Sequence, residues 1–235
     1  MDNTNSSDLK KLYTTGGGIA ITILVIMVVS VAGYIAWPNA AGVTPTVEIF
    51  NLVQTNVWAA FIALDLGLSI TNLISIILYL ALYMALRNVS ETFALTSLIL
   101  GLVAAASLIA ARPLFEIFTL SNLYSAAGSE IEQALYLTTG ETLLVQFHGA
   151  AWHTYMFLGA LASLIDALLM LRSQSFSRVL AYIGIITFAI NLLFWIPVVG
   201  FMLLFVAMLF SVPWYILLAR DFFRLAKNTK SQQSL

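Results

Sequence analysis

The sequence contains no cysteine. That excludes disulfides, thiolate metal ligation, thiol catalysis and palmitoylation, and it leaves the redox compartment open. Charge is the second scarcity. Only 9% of the 235 residues are Asp, Glu, Lys or Arg, against about 25% in soluble domains. The formal net charge is −1, so bulk electrostatics point to no nucleic-acid partner and no acidic one. No polar stretch is long enough to fold as a soluble domain, so function must reside in the apolar part of the chain or at its edges. Histidine is limited to His148 and His153. No lysine falls inside an apolar run, which excludes a retinal-type Schiff base. HExxH, GxSxG, a Walker-type phosphate loop and an acid-rich phosphotransfer motif are all missing. No internal repeat supports a duplicated transporter architecture.

What remains is apolar. Hydrophobic residues make up 61% of the chain and the mean hydropathy is +0.96. Runs of about 20 apolar residues are the length that crosses a hydrocarbon core as helix. They predict an all-α transmembrane bundle of six spans: Gly16–Trp37, Val57–Leu86, Thr92–Ala111, Thr142–Leu171, Phe176–Ile196 and Phe201–Ala219. Residues 1–15 read as a mobile polar lead-in, 16–226 as the six-helix domain, and 227–235 as a polar tail. The first apolar run is long for a signal peptide and Trp37-Pro38-Asn39-Ala40-Ala41 is a weak cleavage site, so the first helix is read as retained. Thr44 and Pro45 look like a cap and first turn of a short interfacial helix, 45–56. Pro197 and Gly200 would end the fifth span, and Pro213 would kink the sixth. Ser97, Gly101 and Ala105 place small residues at every fourth position of the third span, a spacing that suits close packing.

The longest connection, 113–141, predicts one or two short helices on the outer surface. Ser129 and Glu132 fit a capping box, and Gly140 is a plausible stop. Counting bases sets the orientation. Lys10, Lys11, Arg87, Arg172, Arg178, Arg220, Arg224, Lys227 and Lys230 fall on one side of a six-span chain. Arg112 falls on the other, with Glu48, Glu116, Glu130, Glu132 and Glu141. Both termini are therefore expected in the cytoplasm, with the chain integral to the plasma (inner) membrane and lipid as its surroundings.

Two acids lie inside apolar runs, Asp65 and Asp166. Charged groups there usually face the bundle interior. Asp166 lies near the cytoplasmic end, where an ion pair with Arg178 or Arg220 is the expectation. Asp65 is deeper. At about 100° per residue, Trp58, Asp65, Ser69, Asn72, Tyr79 and Tyr83 share one face of the second span. Glu141, His148, Trp152, Tyr155, Gly159 and Asp166 share one face of the fourth, with His153 turned about 140° away. Counted from Arg87 and Arg172, Asp65 and the two histidines fall at similar depth in the outer half of the membrane. Asn72 and Asn191 fall nearer the midplane, beside Trp195.

The candidate ligand-binding residues are thus Asp65, His148, His153, Asn72, Trp152 and Asn191. A carboxylate beside an imidazole can orient it as a ligand or proton carrier; the plainer account is an interhelical hydrogen bond that fixes packing. A metal site would need Asp65, Glu141 or Gln146 beside the histidines, a spacing that is not diagnostic. Two histidines on different faces of one helix cannot both ligate one haem iron. The sequence specifies no cofactor.

Phe176-Ser177-Arg178-Val179-Leu180-Ala181-Tyr182-Ile183-Gly184, Ile196-Pro197-Val198-Val199-Gly200 and Trp214-Tyr215-Ile216-Leu217-Leu218-Ala219-Arg220 form a further pattern: a basic turn, a Gly-punctuated helix, a Pro/Gly turn, and a Trp in a final helix. It resembles the last two helices of small bacterial polytopic membrane proteins, the Domain of Unknown Function 4386 family. The resemblance implies a polytopic fold in a bacterial inner membrane. It brings no known activity and no catalytic residues. Three functions stay open: a non-enzymatic bundle that handles a small-molecule ligand or proton in a transporter-like, sensory or accessory role; a membrane-embedded metalloprotein or enzyme using Asp65 and the histidines; and a structural subunit for a membrane-protein partner.

Overall fold

A computed structural model describes residues 3–196 and 199–231. Those residues form helices α1 (Asn3–Ala36), α2 (Thr46–Thr55), α3 (Val57–Ala63), α4 (Leu66–Leu86), α5 (Glu91–Ala110), α6 (Leu114–Ala126), α7 (Glu130–Val145), α8 (Ala150–Arg172), α9 (Arg178–Leu192) and α10 (Val199–Ser231). Single 3₁₀ turns occupy Gln146–His148 and Leu193–Trp195. No strand occurs among the described residues. Six helical stretches are long and apolar enough to cross a membrane: Ser6–Ala36, Leu66–Leu86, Glu91–Ala126, Glu130–Arg172, Arg178–Trp195 and Met202–Thr229.

The expected span count holds, but several ends move. α1 begins at Asn3, not Gly16. α10 runs to Ser231, well past Ala219. Hydropathy stops at the first charges, whereas the helices continue because one face stays apolar. Tyr13 is buried and stacks on Phe222, and Phe222 is fully enclosed. Pro213 lies inside α10 and the helix continues on both sides of it. Pro197, expected to end the fifth span, and the last residues of the polar tail lie outside the described residues.

The chain divides into two compact units. The first comprises Met1–Val25, Ile74–Ala105 and Met156–Leu235. Its core gathers Leu78, Leu82, Leu180, Trp214, Leu218 and Phe222. The small residues of α5 are used for close approach. Ser97 donates its hydroxyl to the Ala162 carbonyl at 3.0 Å, and a Cβ at Gly101 would stand 2.7 Å from the Tyr79 ring. At one end of this unit, Asp221 is fully buried. Its carboxylate accepts the Ser177 N–H at 2.7 Å, and Arg220 and Arg224 approach it at 3.0 and 3.5 Å. Ser177 caps α9, accepting from the Leu180 N–H. The expected ion pair from Asp166 to Arg178 or Arg220 is absent among the described residues. Arg220 instead takes its immediate neighbour Asp221, which the helix already places beside it.

The second unit comprises Ile26–Leu73 and Ala106–Tyr155. Its core holds Ile49, Phe50, Leu64, Ile117, Leu144 and Phe147. α2 matches the expected interfacial piece, although Pro45 rather than Thr44 is the N-cap residue and gives no side-chain cap. α6 and α7 are the two short helices expected in the long connection. Ser129 caps α7 by accepting the Glu132 N–H at 3.3 Å. The reciprocal bond of a capping box shifts by one residue, because the Glu132 carboxylate accepts from Gly128 at 2.9 Å. Gly140 does not stop α7. It admits Phe50, whose ring carbon Cζ would lie 2.6 Å from a Cβ at that position.

Two predicted spans are broken. The second is interrupted at Leu64 and Asp65, with Asp65 in the left-handed region at φ 57°. The fourth is interrupted by the Gln146–His148 turn and by Gly149, whose backbone is extended. Each break resets the helical phase. Trp58 therefore does not share a face with Asp65 and is 71% exposed. His148 likewise lies on a 3₁₀ turn, not on the α8 face carrying Trp152.

Candidate functional site: an Asp–Arg cluster at two helix breaks

The left-handed backbone at Asp65 turns its side chain to groups far away in sequence. Asp is one of the few non-glycine residues that enters this region readily. Its Oδ2 accepts from Arg112 Nε at 2.9 Å and lies 2.8 Å from Arg112 Nη2 in an ion pair. Its Oδ1 accepts the Tyr34 hydroxyl. The Arg112 side chain is only 3% exposed and the Asp65 side chain 20%.

Arg112 follows α5, immediately before Pro113. Its Nη1 donates to the carbonyls of Ala111 and Phe147, each at 3.1 Å. Its guanidinium carbon lies 4.7 Å from the centre of the Phe147 ring and 4.6 Å from that of Trp152. Cations over aromatic faces gain more once removed from water. Nε and Nη1 thus make three hydrogen bonds, and Nη2 stands in the ion pair with Asp65. The cluster is neutral overall and is reached from the Asp65 side.

The histidines differ in their surroundings. His148 is exposed and lies edge-on to Trp152, ring centres 6.4 Å apart, which joins it to the cluster through the tryptophan. Gly42, with φ 80°, abuts it: a Cβ there would stand 2.7 Å from His148 Nδ1. His153 is half-buried, and its Nδ1 lies 2.9 Å from the Gly149 carbonyl. A carbonyl only accepts, so Nδ1 carries the hydrogen and Nε2 the lone pair of the neutral ring. Asn72 is buried on α4. Asn191 is half-buried near the end of α9, and Trp195 packs edge-on to Phe157 at 6.5 Å. Among the described residues no three His, Cys, Asp or Glu side chains are grouped to hold a metal ion.

A cleft of about 310 Å³ opens in the same unit, lined by Gly42, Thr44, Thr46, Leu137, Glu141 and Leu144 among others. Glu141, a candidate metal ligand in the sequence, is one of its walls. Gly42→Ala tests the junction between this cleft and His148. The added methyl must displace the imidazole while its own backbone carries left-handed strain of about 1–2 kcal/mol. The expected result is a destabilisation of at least that size in thermal unfolding, and a variant as stable as the parent would show that the loop relaxes freely.

Sequence reasoning missed Arg112 and Tyr34. One signal for Arg112 was present. In the expected six-span layout, Asp65 is the only acid inside an apolar run in the outer half, and Arg112 is the only Lys or Arg on that side.

Six apolar spans and a buried polar cluster at two helix breaks define a multi-pass helical membrane protein. Residues 19–220, most of the chain, match the family described as "Domain of unknown function (DUF4386)", and the protein belongs to that family. No curated protein and no solved structure matches it.

Proposed function

We propose that this protein is a non-enzymatic membrane bundle whose Asp65–Arg112 cluster handles a small ligand or a proton, in a transporter-like, sensory or accessory role. One observation carries the reading: two helical lines break at one buried ion pair. Irregular backbone at the end of a span is tolerated where it lines a cavity or is enclosed by protein. Transporter sites are commonly built from such interrupted helices. The Asp65–Arg112 pair, the aromatic faces of Phe147 and Trp152, and the nearby cleft supply groups that a small polar ligand needs. His148, His153, Asn72 and Asn191 are the further polar positions of this reading. The proposed setting is a bacterial inner membrane with both termini cytoplasmic, supported by the charge partition. The second unit carries Arg112 as its only base, beside Glu48, Glu116, Glu130, Glu132 and Glu141.

The test is thermal unfolding of the purified chain against a panel of amino acids, dicarboxylates and monovalent cations, with pyranine-loaded vesicles to follow protons. A compound present at 100 times its Kd stabilises by about 2.7 kcal/mol. The expected result is such a shift, or a proton flux, that disappears in Asp65→Asn. If no compound shifts the melt and no flux occurs, the cluster serves packing and the structural-subunit reading replaces this one. Metal that co-purifies stoichiometrically and is lost with His148→Ala would replace it with the metalloprotein reading.

A further inference from the structure

The second acid inside an apolar run has no counter-charge among the described residues. We propose that Asp166 is a cation-binding carboxyl of the first unit, taking up a proton or Na⁺, separate from the Asp65 cluster and independent of its function. Asp166 lies on α8 and is 1% exposed. No ion pair among the described residues reaches it, and its Oδ2 has no hydrogen-bond partner among them. The polar neighbour of the carboxyl is the Ser97 hydroxyl on α5. That hydroxyl hydrogen-bonds the carboxyl and also lies 3.0 Å from the Ala162 carbonyl, so it is shared between them.

The residue after Asp166 is tightly packed against the neighbouring helix. A Cβ at Gly184 on α9 would stand 2.9 Å from the Ala167 Cβ and 2.7 Å from Trp214 Nε1 on α10. Trp214 Nε1 is the other buried side-chain polar atom without a partner among the described residues. The other ionisable groups on these helices are Glu91 on α5, His153, Tyr155 and Arg172 on α8, Arg178 and Tyr182 on α9, and Tyr215, Arg220, Asp221, Arg224, Lys227 and Lys230 on α10. Tyr83 of α4 packs on the same core. Arg220 and Arg224 are engaged by Asp221. Arg172 stands six residues further along α8, about 9 Å along the axis. A carboxylate enclosed by apolar side chains needs a positive charge beside it. No ion pair among the described residues supplies one, so the charge comes from outside as a small cation. The shared chemistry is a cation on a carboxylate oxygen, and the Ser97 oxygen is a second oxygen at the same place.

Dicyclohexylcarbodiimide, which attacks protonated carboxyls in apolar surroundings, is the probe. The full chain in detergent is treated across a pH series, in choline chloride or NaCl, and the Asp166 peptide is weighed by mass spectrometry. The expected result is an adduct at Asp166 that declines as pH rises and is lost in Asp166→Asn. Protection by NaCl at fixed pH assigns Na⁺; equal labelling in both salts assigns the proton alone. In parallel, the melting temperature of the parent should respond to acid or Na⁺ and that of Asp166→Asn should not. No adduct at any pH, or a variant that keeps the parent's pH and Na⁺ response, overturns the proposal.

Discussion

Asp65→Ala is expected to destabilise the protein by about 3–5 kcal/mol, the usual cost of leaving one member of a buried ion pair alone. The size of the effect rests on Arg112. With a side chain 3% exposed and its guanidinium over Phe147 and Trp152, it cannot turn to water when its partner is removed. Ala also fits the left-handed backbone at position 65 poorly, adding about 1–2 kcal/mol. Asp65→Asn separates the two contributions. Asn tolerates that backbone and keeps an oxygen for Tyr34 or Arg112, so the loss that remains is chiefly that of charge. Arg112→Met should cost less than Asp65→Ala, because Asp65 is 20% exposed and keeps the Tyr34 hydroxyl. The pair Asp65→Asn with Arg112→Met removes both charges and should recover much of what either single change loses. Thermal unfolding of the four variants reads these differences. An Asp65→Ala protein within about 0.5 kcal/mol of the parent, the range of ordinary surface changes, would mean that the pair does not hold this region together.

Asp221→Ala is the second large effect, and here the ion pairs are not its main source. Arg220 and Arg224 are 56% and 47% exposed, so both can return to water when the carboxylate goes. Exposed pairs of this kind contribute about 0–1 kcal/mol. The Ser177 N–H has no such escape. It loses a 2.7 Å charge-assisted bond at the start of α9, worth about 1.5–3 kcal/mol. The expected destabilisation is therefore in that range and nearly independent of salt. Asp221→Asn, which keeps an acceptor oxygen, should lose less. If raising ionic strength removes most of the difference between Asp221→Ala and the parent, the arginine pairs dominate and this assignment fails.

The elements read correctly from the sequence are those whose cause is local. Spans of about 20 apolar residues are long enough to cross a bilayer whatever they pack against. The Ser129 cap needs only the next turn of α7. The errors share a cause. Gly140 looked like a stop because glycine often is one, yet it admits Phe50 from another helix. The ends at Gly16 and Ala219 were drawn where charges begin, yet Tyr13 and Phe222 give both helices a buried face beyond those points. The face arguments for Asp65 and His148 assumed unbroken helices. Their backbones are interrupted, so counting 100° per residue across the breaks placed neighbours wrongly.

By itself, the sequence determined the class of the protein: helical, with six stretches long and apolar enough to cross a membrane. Composition and run length decide that, because the cost of placing polar backbone and charge in hydrocarbon is set by each segment alone. It also marked Asp65 and Asp166 as exceptional. Only the tertiary structure decided what they meet. Asp65 is matched by an arginine 47 residues away and by Tyr34. Asp166 is matched by no ion pair among the described residues. Whether a buried acid finds a partner depends on which helices pack around it and where their backbones turn. A linear pattern of hydropathy does not encode distances between segments.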